Sequence, residues 1–374
     1  MRFKASISSP SVTCIFLPLL QSFPRLNLLV SMKLSPQTIT LSTHAKNLDG
    51  LTLYSELACG GVFIDWRIES VSADEIAMEI DPVHLRQAFV NIVNNSGGGA
   101  LEASGGADGG SNVVTVKLAK RNSLPCLCVE SSDQGGMNTI KISHDIPVKI
   151  MKVTDFNSQC SPPAVNSNPV SQLYLPADRP IKTSLMGLAK MGKTVYVEAS
   201  MGYDKVSGEI EGTSAGSLMF NVFGEGASVS TFLRNLSPET EGCIDEDGED
   251  TSENGDNRQS VRNSKLRQSK GACKVKINSK KLLEIFRWQS TLPMGRTVSR
   301  AMVSLWPDEM FVVHAMLNSY DTGLDEVGSF TYYCRVPFLD REELAGLEGS
   351  GDENEEGEVH DNDDFDGDQG AEYL

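Results

Sequence analysis

The chain has 374 residues, of which 40% are hydrophobic and 22% charged, so it can bury a core and is long enough for about two domains. The net charge of −17 is uneven, because residues 341–374 contain 14 acidic residues and one basic residue. An acidic block at 239–256 is balanced by a basic block at 258–281. The remaining body is nearly neutral, so the acidic balance does not exclude a nucleic-acid partner.

The cysteine and histidine content argues against a disulfide framework and against a metal centre. Eight cysteines are too sparse for a disulfide scaffold at this length, no CxxC pair occurs, and five histidines are scattered without an HExxH motif. We therefore expect reduced thiols, no cofactor and no metal. Because there is also no GxSxG motif and no isolated pair of carboxylates, we expect that the chain is not an enzyme.

The N-terminus resembles a targeting signal. No acidic residue precedes Asp49, and the apolar stretch at 12–20 follows Arg2 and Lys4. No small-x-small cleavage site follows this stretch, and no apolar run reaches the ~20 residues of a membrane span. Secretion and organelle targeting remain alternatives to an intracellular protein.

Strand-like and helix-like stretches alternate along the body. Asp81 and Pro82 predict the cap and first residue of a helix over residues 81–93, and apolar residues at helical spacing predict helices over 178–191 and 278–290. Many short strands with few helices predict an α+β fold with helices on one face of antiparallel sheets. The predicted strands are EIAMEI, VVTVKLA, CLCVE, IKISHDIPVKI, VSQLYL, TVYVEAS, SLMFNVF, MFVVHAML and FTYYCRV.

Composition predicts the domain boundaries. A proline-rich stretch of little periodicity at 151–172 is interpreted as a connector between domains at 1–150 and 173–340. The first domain contains a Gly/Ser loop at 95–112. The second contains a polar insert at 237–270, which we expect to be disordered, like the acidic tail at 341–374.

One nucleotide-binding motif occurs but in the wrong context. Residues 187–194 (GLAKMGKT) match the Walker A pattern, which requires a strand before the loop and a helix after it. Here the match begins inside a predicted helix and leads into a strand. Gly192 is better interpreted as the glycine that caps the helix, and Lys193 as a cation near the helix end.

Basic side chains lie away from the apolar faces of the three predicted helices. Such helices on a sheet could present a phosphate-facing surface that does not read base sequence, and the alternative is an ordinary solvated face. The basic residues are Arg86, Arg179, Lys182, Lys190, Lys193, Lys280, Lys281 and Arg287.

Several segments together resemble the Hus-one subunit family of the checkpoint sliding clamp, the nine-one-one complex related to the replication clamp PCNA. The stretch HDIPVKI, followed by the connector and YLP, is the most specific part, and the resemblance covers most of residues 34–340. The other matching segments are MRFKA, LACGGVFIDWRIESVSADEIAMEI, LPCLCVE, TVYVEASMGYDKVSGEI, CKVKINSKKLLEIFRWQS, MFVVHAML and FTYYCRVPFLD.

The resemblance implies a PCNA-like clamp subunit without chemistry of its own, with two similar domains, sheets outside and helices lining a central hole. It implies a ring with Rad-nine-like and Rad-one-like subunits, placed on double-stranded DNA by an ATP-driven clamp loader. The ring would be a platform for checkpoint and repair proteins in the nucleus, with the nucleolus and cytoplasm as further locations and no membrane. The eight basic residues then become candidate DNA-facing positions.

One segment departs from the family pattern, and three other functions remain open. A helix should follow the first strand, yet Pro18 and Pro24 restrict helical structure to residues 16–23. Strands at 113–117 and 217–223 are predicted as the edges that join subunits. The alternatives are a homotrimeric replication clamp, a P-loop ATPase, and an acidic histone-binding escort protein.

Overall fold

The computed structural model describes residues 1–8, 12–43, 50–95, 113–132, 142–165, 168–176, 181–200, 215–224, 226–239, 273–292, 297–318 and 326–337. The strands in these residues are β1 (Arg2–Ser8), β2 (Val30–Leu34), β3 (Thr38–Ser42), β4 (Leu51–Ala58), β5 (Phe63–Glu69), β6 (Ile76–Ile80), β7 (Val113–Arg121), β8 (Leu124–Ser132), β9 (Ser143–Met151), β10 (Ser171–Tyr174), β11 (Thr194–Ser200), β12 (Gly216–Gly224), β13 (Ala227–Leu236), β14 (Cys273–Asn278), β15 (Val298–Trp306), β16 (Met310–Leu317) and β17 (Gly328–Arg335). The α-helices are α1 (Leu17–Ser22), α2 (Cys59–Val62), α3 (Pro82–Asn95), α4 (Val153–Gln159), α5 (Ile181–Met191) and α6 (Ser279–Ile285).

The order strand, helix, three strands occurs four times along the chain. The four units are β1–α1–β2–β3–β4, β6–α3–β7–β8–β9, β10–α5–β11–β12–β13 and β14–α6–β15–β16–β17. Within each pair of units, the first strand of one unit pairs with the second strand of the other. In the first pair β1 pairs with β7 and β2 with β6, and in the second pair β10 pairs with β15 and β11 with β14. Every pairing between these strands is antiparallel, as predicted for an α+β fold.

The strands form two sheets, and the larger one joins the two halves of the chain. It has the order β10-β15-β16-β17-β4-β3-β2-β6-β9-β8-β7-β1-β5, and the smaller has the order β13-β12-β11-β14. The halves meet where β17 pairs with β4. At this seam a Cβ on Gly328 would lie 2.8 Å from the Cα of Leu57, so the close approach of the two backbones requires glycine. Residues Met1–Phe338 form one compact unit.

The helices pack on the sheets through apolar faces. Leu185 and Leu188 of α5 and Leu282 and Ile285 of α6 are buried in the same core, and α5 contacts α6. Strand β11 buries every second residue, as expected for a strand covered on one face. Apolar residues recur about every 3.6 positions in the helices and every two positions in strands such as β11, so both kinds of element bury an apolar face in one continuous core.

The N-terminal helical segment is longer than the sequence predicted. It begins as a π-helix (Val12–Phe16), continues as α1 and ends as a 3₁₀-helix (Phe23–Arg25). Pro18 is the second residue of α1, where a missing N–H costs little. Restriction to residues 16–23 was therefore wrong: a change of helix type allows both prolines. Six apolar side chains of the segment are buried, namely Val12, Ile15, Phe16, Leu19, Leu20 and Phe23, so the stretch that resembled a targeting signal packs in the core.

The three predicted helices exist, and the bounds of the first and third differ from the prediction. Asp81 caps α3, because its Oδ1 accepts hydrogen bonds from the backbone N–H groups of Val83 (2.8 Å) and His84 (3.4 Å). The second helix is described from Ile181, and residues 177–180 lie outside the described ranges. The third prediction, 278–290, was wrong as a single helix, since α6 ends at Ile285 and a 3₁₀-helix follows at Arg287–Ser290.

Other predictions fail or lie outside the description. The strands at 113–117 and 217–223 are interior, because β7 lies between β8 and β1, and β12 between β13 and β11. Among the described strands, the last in each sheet order are β10, β5, β13 and β14, and β10 also makes backbone hydrogen bonds with Ser237 and Glu239 on its outer side. The connector, predicted as irregular, contains α4, whose Phe156 packs against Ala77.

The Gly/Ser loop at 96–112, the insert beyond Glu239 and the acidic tail lie outside the described residues. Among the described helices, none is long and apolar enough to cross a membrane.

Candidate nucleic-acid interface

Four of the predicted basic residues come together where α5 ends and α6 begins. Strands β11 and β14 pair so that Thr194 faces Asn278, and the N–H of Ser279 donates to the Lys193 carbonyl at 2.9 Å. The end of one helix is thereby held beside the start of the other. We call the four residues at this junction the rim cluster: Lys190, Lys193, Lys280 and Lys281. The first three are exposed and Lys281 is half-buried.

Local sequence explains why α6 begins at this point. The Oδ1 of Asn278 accepts a hydrogen bond from the N–H of Lys280 at 3.0 Å, so Asn278 is the N-cap. Leu282 and Ile285 turn inward, which leaves Lys280 on the solvent side. The cap and the apolar spacing therefore fix the direction of the basic side chains.

Lys182 and Arg287 line a separate cavity of about 280 Å³ at the seam between the halves. Lys182 Nζ donates a hydrogen bond to Ser290 Oγ, and Arg287 forms an ion pair with Glu284. The carboxylate of Glu284 offsets one of the two positive charges in this cavity. We call Lys182 and Arg287 the seam pair. The other lining residues are Gln21, Ser22, Leu26, Thr291 and Tyr332.

Tyr332 is a buried residue that lines the seam cavity. Its side chain is buried, which raises its pKa to about 12, and a hydrogen bond with the Ser22 side chain opposes that rise. The hydroxyl is therefore protonated at neutral pH. It connects β17 of the second half with α1 of the first.

The remaining two predicted residues are not part of either group. Arg86 lies on α3 and is half-buried; its Nε is buried and makes no hydrogen bond to the described part of the chain. Arg179 lies outside the described residues. The structure therefore divides the eight predicted positions into the rim cluster, the seam pair, Arg86 and Arg179.

Two basic residues that the sequence reasoning missed lie next to the rim cluster. Lys276 of β14 and Arg335 at the end of β17 line a cavity of about 430 Å³ together with Lys281. Burial raises the pKa of the Cys334 thiol to about 11, and the positive charge of Lys281 opposes this rise. Alternation of lysine with apolar residues in CKVKIN could have indicated Lys276, whereas no sequence signal indicated Arg335.

The Walker A match does not form a phosphate loop. Gly187 lies inside α5, and the chain continues from Gly192 into β11, so no helix follows the match. Gly192 does follow the helix end as predicted, but its φ is not in the left-handed region. Glycine is required there because a Cβ would lie 2.6 Å from Cγ1 of Val222.

Comparison with protein families agrees with this architecture. The family model described as "Hus1-like protein" matches residues 1–336, which include all the described residues except the last. That match covers most of the chain and includes both basic groups. The chain therefore belongs to the Hus1-like family, whose members are non-catalytic subunits of the heterotrimeric checkpoint clamp.

Proposed function

We propose that this subunit contributes to the ring by placing its helices against duplex DNA, with the rim cluster as its main contact. The observation that carries this proposal is the meeting of four lysines at the junction of α5 and α6. The ring would be completed by Rad-nine-like and Rad-one-like subunits and placed on DNA in the nucleus by an ATP-driven clamp loader. It would then serve as a platform for checkpoint kinases and repair enzymes.

The repeated order of elements supports the two-domain layout of this proposal. Each half contains two strand–helix–three-strand units with exchanged first strands. Each half therefore has one pair of helices, α1 with α3 and α5 with α6, in mutual contact. Four helices on four related units are what a subunit needs to line one third of a hole.

Strand β13 is our candidate for joining a neighbouring subunit. Among the described strands it is an edge of the smaller sheet, and backbone groups along such an edge can pair with another strand. Phe232 on β13 is 50% exposed, and Arg234 lies over its ring at 5.4 Å from the centroid. An exposed aromatic residue beside a free edge is typical of a protein contact. Phe232→Glu should reduce the yield of the three-chain complex measured by light scattering, and equal yield would remove β13 from the contact.

DNA binding by the three-chain complex tests the rim cluster. The triple variant Lys190→Gln, Lys193→Gln and Lys280→Gln removes three exposed charges. Because each phosphate contact releases counterions, the slope of log affinity against log salt should fall by up to about three units for a short duplex with free ends. Binding should weaken equally for unrelated sequences, because phosphate contacts carry no sequence information.

A triple variant elsewhere provides the matched control. Lys4, Lys149 and Lys152 are also exposed but lie on β1, on β9 and before α4. Their replacement by Gln changes the net charge by the same amount and should leave the salt slope nearly unchanged. Equal effects of both triple variants would show that only the total charge matters and would refute the rim cluster as a contact.

A further inference from the structure

Helix α4 packs against the larger sheet through a small apolar cluster that is separate from the main core. Phe156 and Cys160 are buried together with Ala77 of β6, and Met151 and Val153 pack at the border of this cluster. Phe156 is the only residue of α4 that is fully buried. The attachment of this helix to the sheet therefore depends largely on one aromatic side chain.

Polar contacts from neighbouring strands add to this attachment. The Oγ of Ser42 on β3 donates a hydrogen bond to the Cys160 carbonyl at 3.0 Å. On β2, the Nζ of Lys33 donates to Asn157 Oδ1 at 3.4 Å and lies 5.6 Å from the centre of the Phe156 ring. Because these contacts lie outside the main core, opening of α4 alone should cost less free energy than unfolding of the whole chain.

The chain contains two serines that are followed by glutamine, and the structure exposes only one of them. Ser158 is exposed in the last turn of α4, directly before Gln159, where the helix ends. Ser171 is 2% exposed and lies opposite Leu305 in the pairing of β10 with β15. A protein kinase that selects serine followed by glutamine can therefore reach Ser158 without unfolding a strand.

A phosphate on Ser158 would disfavour α4 for electrostatic reasons. It adds a charge of about −2 at the C-terminal end of the helix, where the helix dipole is also negative. It would stand three residues from the carboxylate of Asp155, a spacing at which like charges repel. The Ser158 hydroxyl also donates a hydrogen bond to the Asp155 carbonyl at 3.0 Å, and the phosphate dianion has no proton for this bond.

We propose that Ser158 is a phosphorylation site and that its phosphate releases α4 from β2 and β6. In this step a bond forms between Ser158 Oγ and the γ-phosphorus of ATP, and the bond from that phosphorus to the bridging oxygen of ADP breaks. The hydroxyl proton passes to a base of the kinase. Release uncovers Phe156 and the surface of Ala77 beneath it. This inference goes beyond DNA binding, because α4 contains no residue of the rim cluster.

Mass spectrometry of the three-chain complex tests the modification. After incubation with ATP and a kinase that selects serine before glutamine, the peptide that contains Ser158 should gain one phosphoryl group. Ser158→Ala should abolish this labelling, and Ser171→Ala should leave it unchanged. Absence of label on Ser158, or label on Ser171 instead, would overturn the proposal.

Hydrogen exchange of the same complex tests the release. Phosphorylated wild-type protein and the variant Ser158→Glu should both exchange the amides of residues 153–160 at least about tenfold faster than the unmodified protein. Thr154→Glu is the matched control, because Thr154 is exposed in the first turn of α4, where a negative charge is favourable. It should not speed exchange, and equal rates in all four proteins would refute the release.

Two further measurements separate local release from general loss of stability. Phe156→Ala removes the main apolar contact without adding charge, so it should speed exchange of α4 as much as Ser158→Glu does. Amides of β16 and β17 in the main core should keep their wild-type rates in every variant. If Ser158→Glu also speeds exchange in those strands, the whole chain is destabilised and the proposed release of α4 is wrong.

Discussion

The two halves of the chain have the same order of elements but different helix surfaces. The N-terminal segment of the first half, from Val12 to Arg25, has Arg25 as its only charged residue, and α3 adds His84 and Arg86. In the second half, residues 181–193 and 279–290, which contain α5 and α6, have six basic residues and one carboxylate, Glu284. The apolar faces therefore determine the architecture, while the charge of the solvent-facing positions can differ between the halves. In this subunit the specialised half is the second one.

The largest expected effect tests whether the N-terminal segment is a core element like its counterpart. Phe23 and Phe286 both have 0% exposed surface and follow α1 and α6. Replacing either with Ala leaves a cavity, so each change should lower the free energy of unfolding by about 3–5 kcal/mol. Leu28→Ala, at a residue 83% exposed, should change it by less than about 0.5 kcal/mol. The measurement is denaturant unfolding.

A small effect of Phe23→Ala would show that the two halves are packed differently. If the free energy of unfolding falls by less than about 1 kcal/mol in Phe23→Ala but by about 3–5 kcal/mol in Phe286→Ala, the N-terminal segment adds little to the core. The four units would then be equivalent in order but not in packing.

The seam between the halves should tolerate no added methyl group. Gly328→Ala places a Cβ against the backbone of β4, which cannot move aside, and should cost about 1–3 kcal/mol. Gly187→Ala is the opposite case, because nothing lies within 4 Å of its Cβ position in α5. It should stabilise the protein by about 0.5–1 kcal/mol. Thermal unfolding of both variants distinguishes them, and equal shifts would contradict the described seam.

The N-caps of α3 and α6 should contribute about equally to the stability of the protein. Asp81 caps α3 and Asn278 caps α6 through side-chain oxygens. Replacement of either by Ala should lower the free energy of unfolding by about 1 kcal/mol. Asp81→Asn keeps the accepting oxygen and should restore most of that loss. If Asp81→Asn is as unstable as Asp81→Ala, the charge of Asp81 rather than its cap would be the cause.

The smallest expected effect is a pH dependence confined to the second half. Burial lowers the pKa of His314 below 6.5, against the opposing charge of Glu326, and its Nδ1 lies 2.8 Å from the Thr331 hydroxyl. Near pH 6.5 the unfolded chain therefore binds more protons than the folded one, so stability falls as pH falls through this value. His314→Gln should show a shallower loss of stability between pH 7.5 and 5.5. An identical loss in both proteins would refute this contribution.

Local sequence patterns predicted the elements with distinct signals. Asp81-Pro82 indicated the start of α3, and the strand-like stretches TVYVEAS and MFVVHAML predicted β11 and β16. The strands β1 to β5 and β13 to β15 were not among the strands predicted from local pattern. In β2 and β3 most residues are buried on both faces, so the alternation of apolar and polar residues is weak. The N-terminal segment was predicted too short, since the sequence rules for proline assume a pure α-helix.

The candidate interface was predicted in part. All four rim-cluster residues were chosen from their positions opposite apolar faces, which is a local property. Lys276 and Arg335 were missed because their proximity to Lys281 depends on where β14 and β17 end in the folded chain. The ion pair of Arg287 with Glu284 could have been suspected from their spacing of three residues.

Local sequence accounts for the composition of each element, the positions of the basic side chains on their helices and the family to which the chain belongs. These properties can be read from the sequence, because periodicity and capping depend on residues close together in the chain and motifs follow one another in a fixed order. The tertiary structure alone decided which basic residues meet, which strands are edges and how the halves join. Those outcomes depend on pairings between strands far apart in sequence, such as β17 with β4 and β11 with β14, and backbone pairing of this kind leaves no local signature.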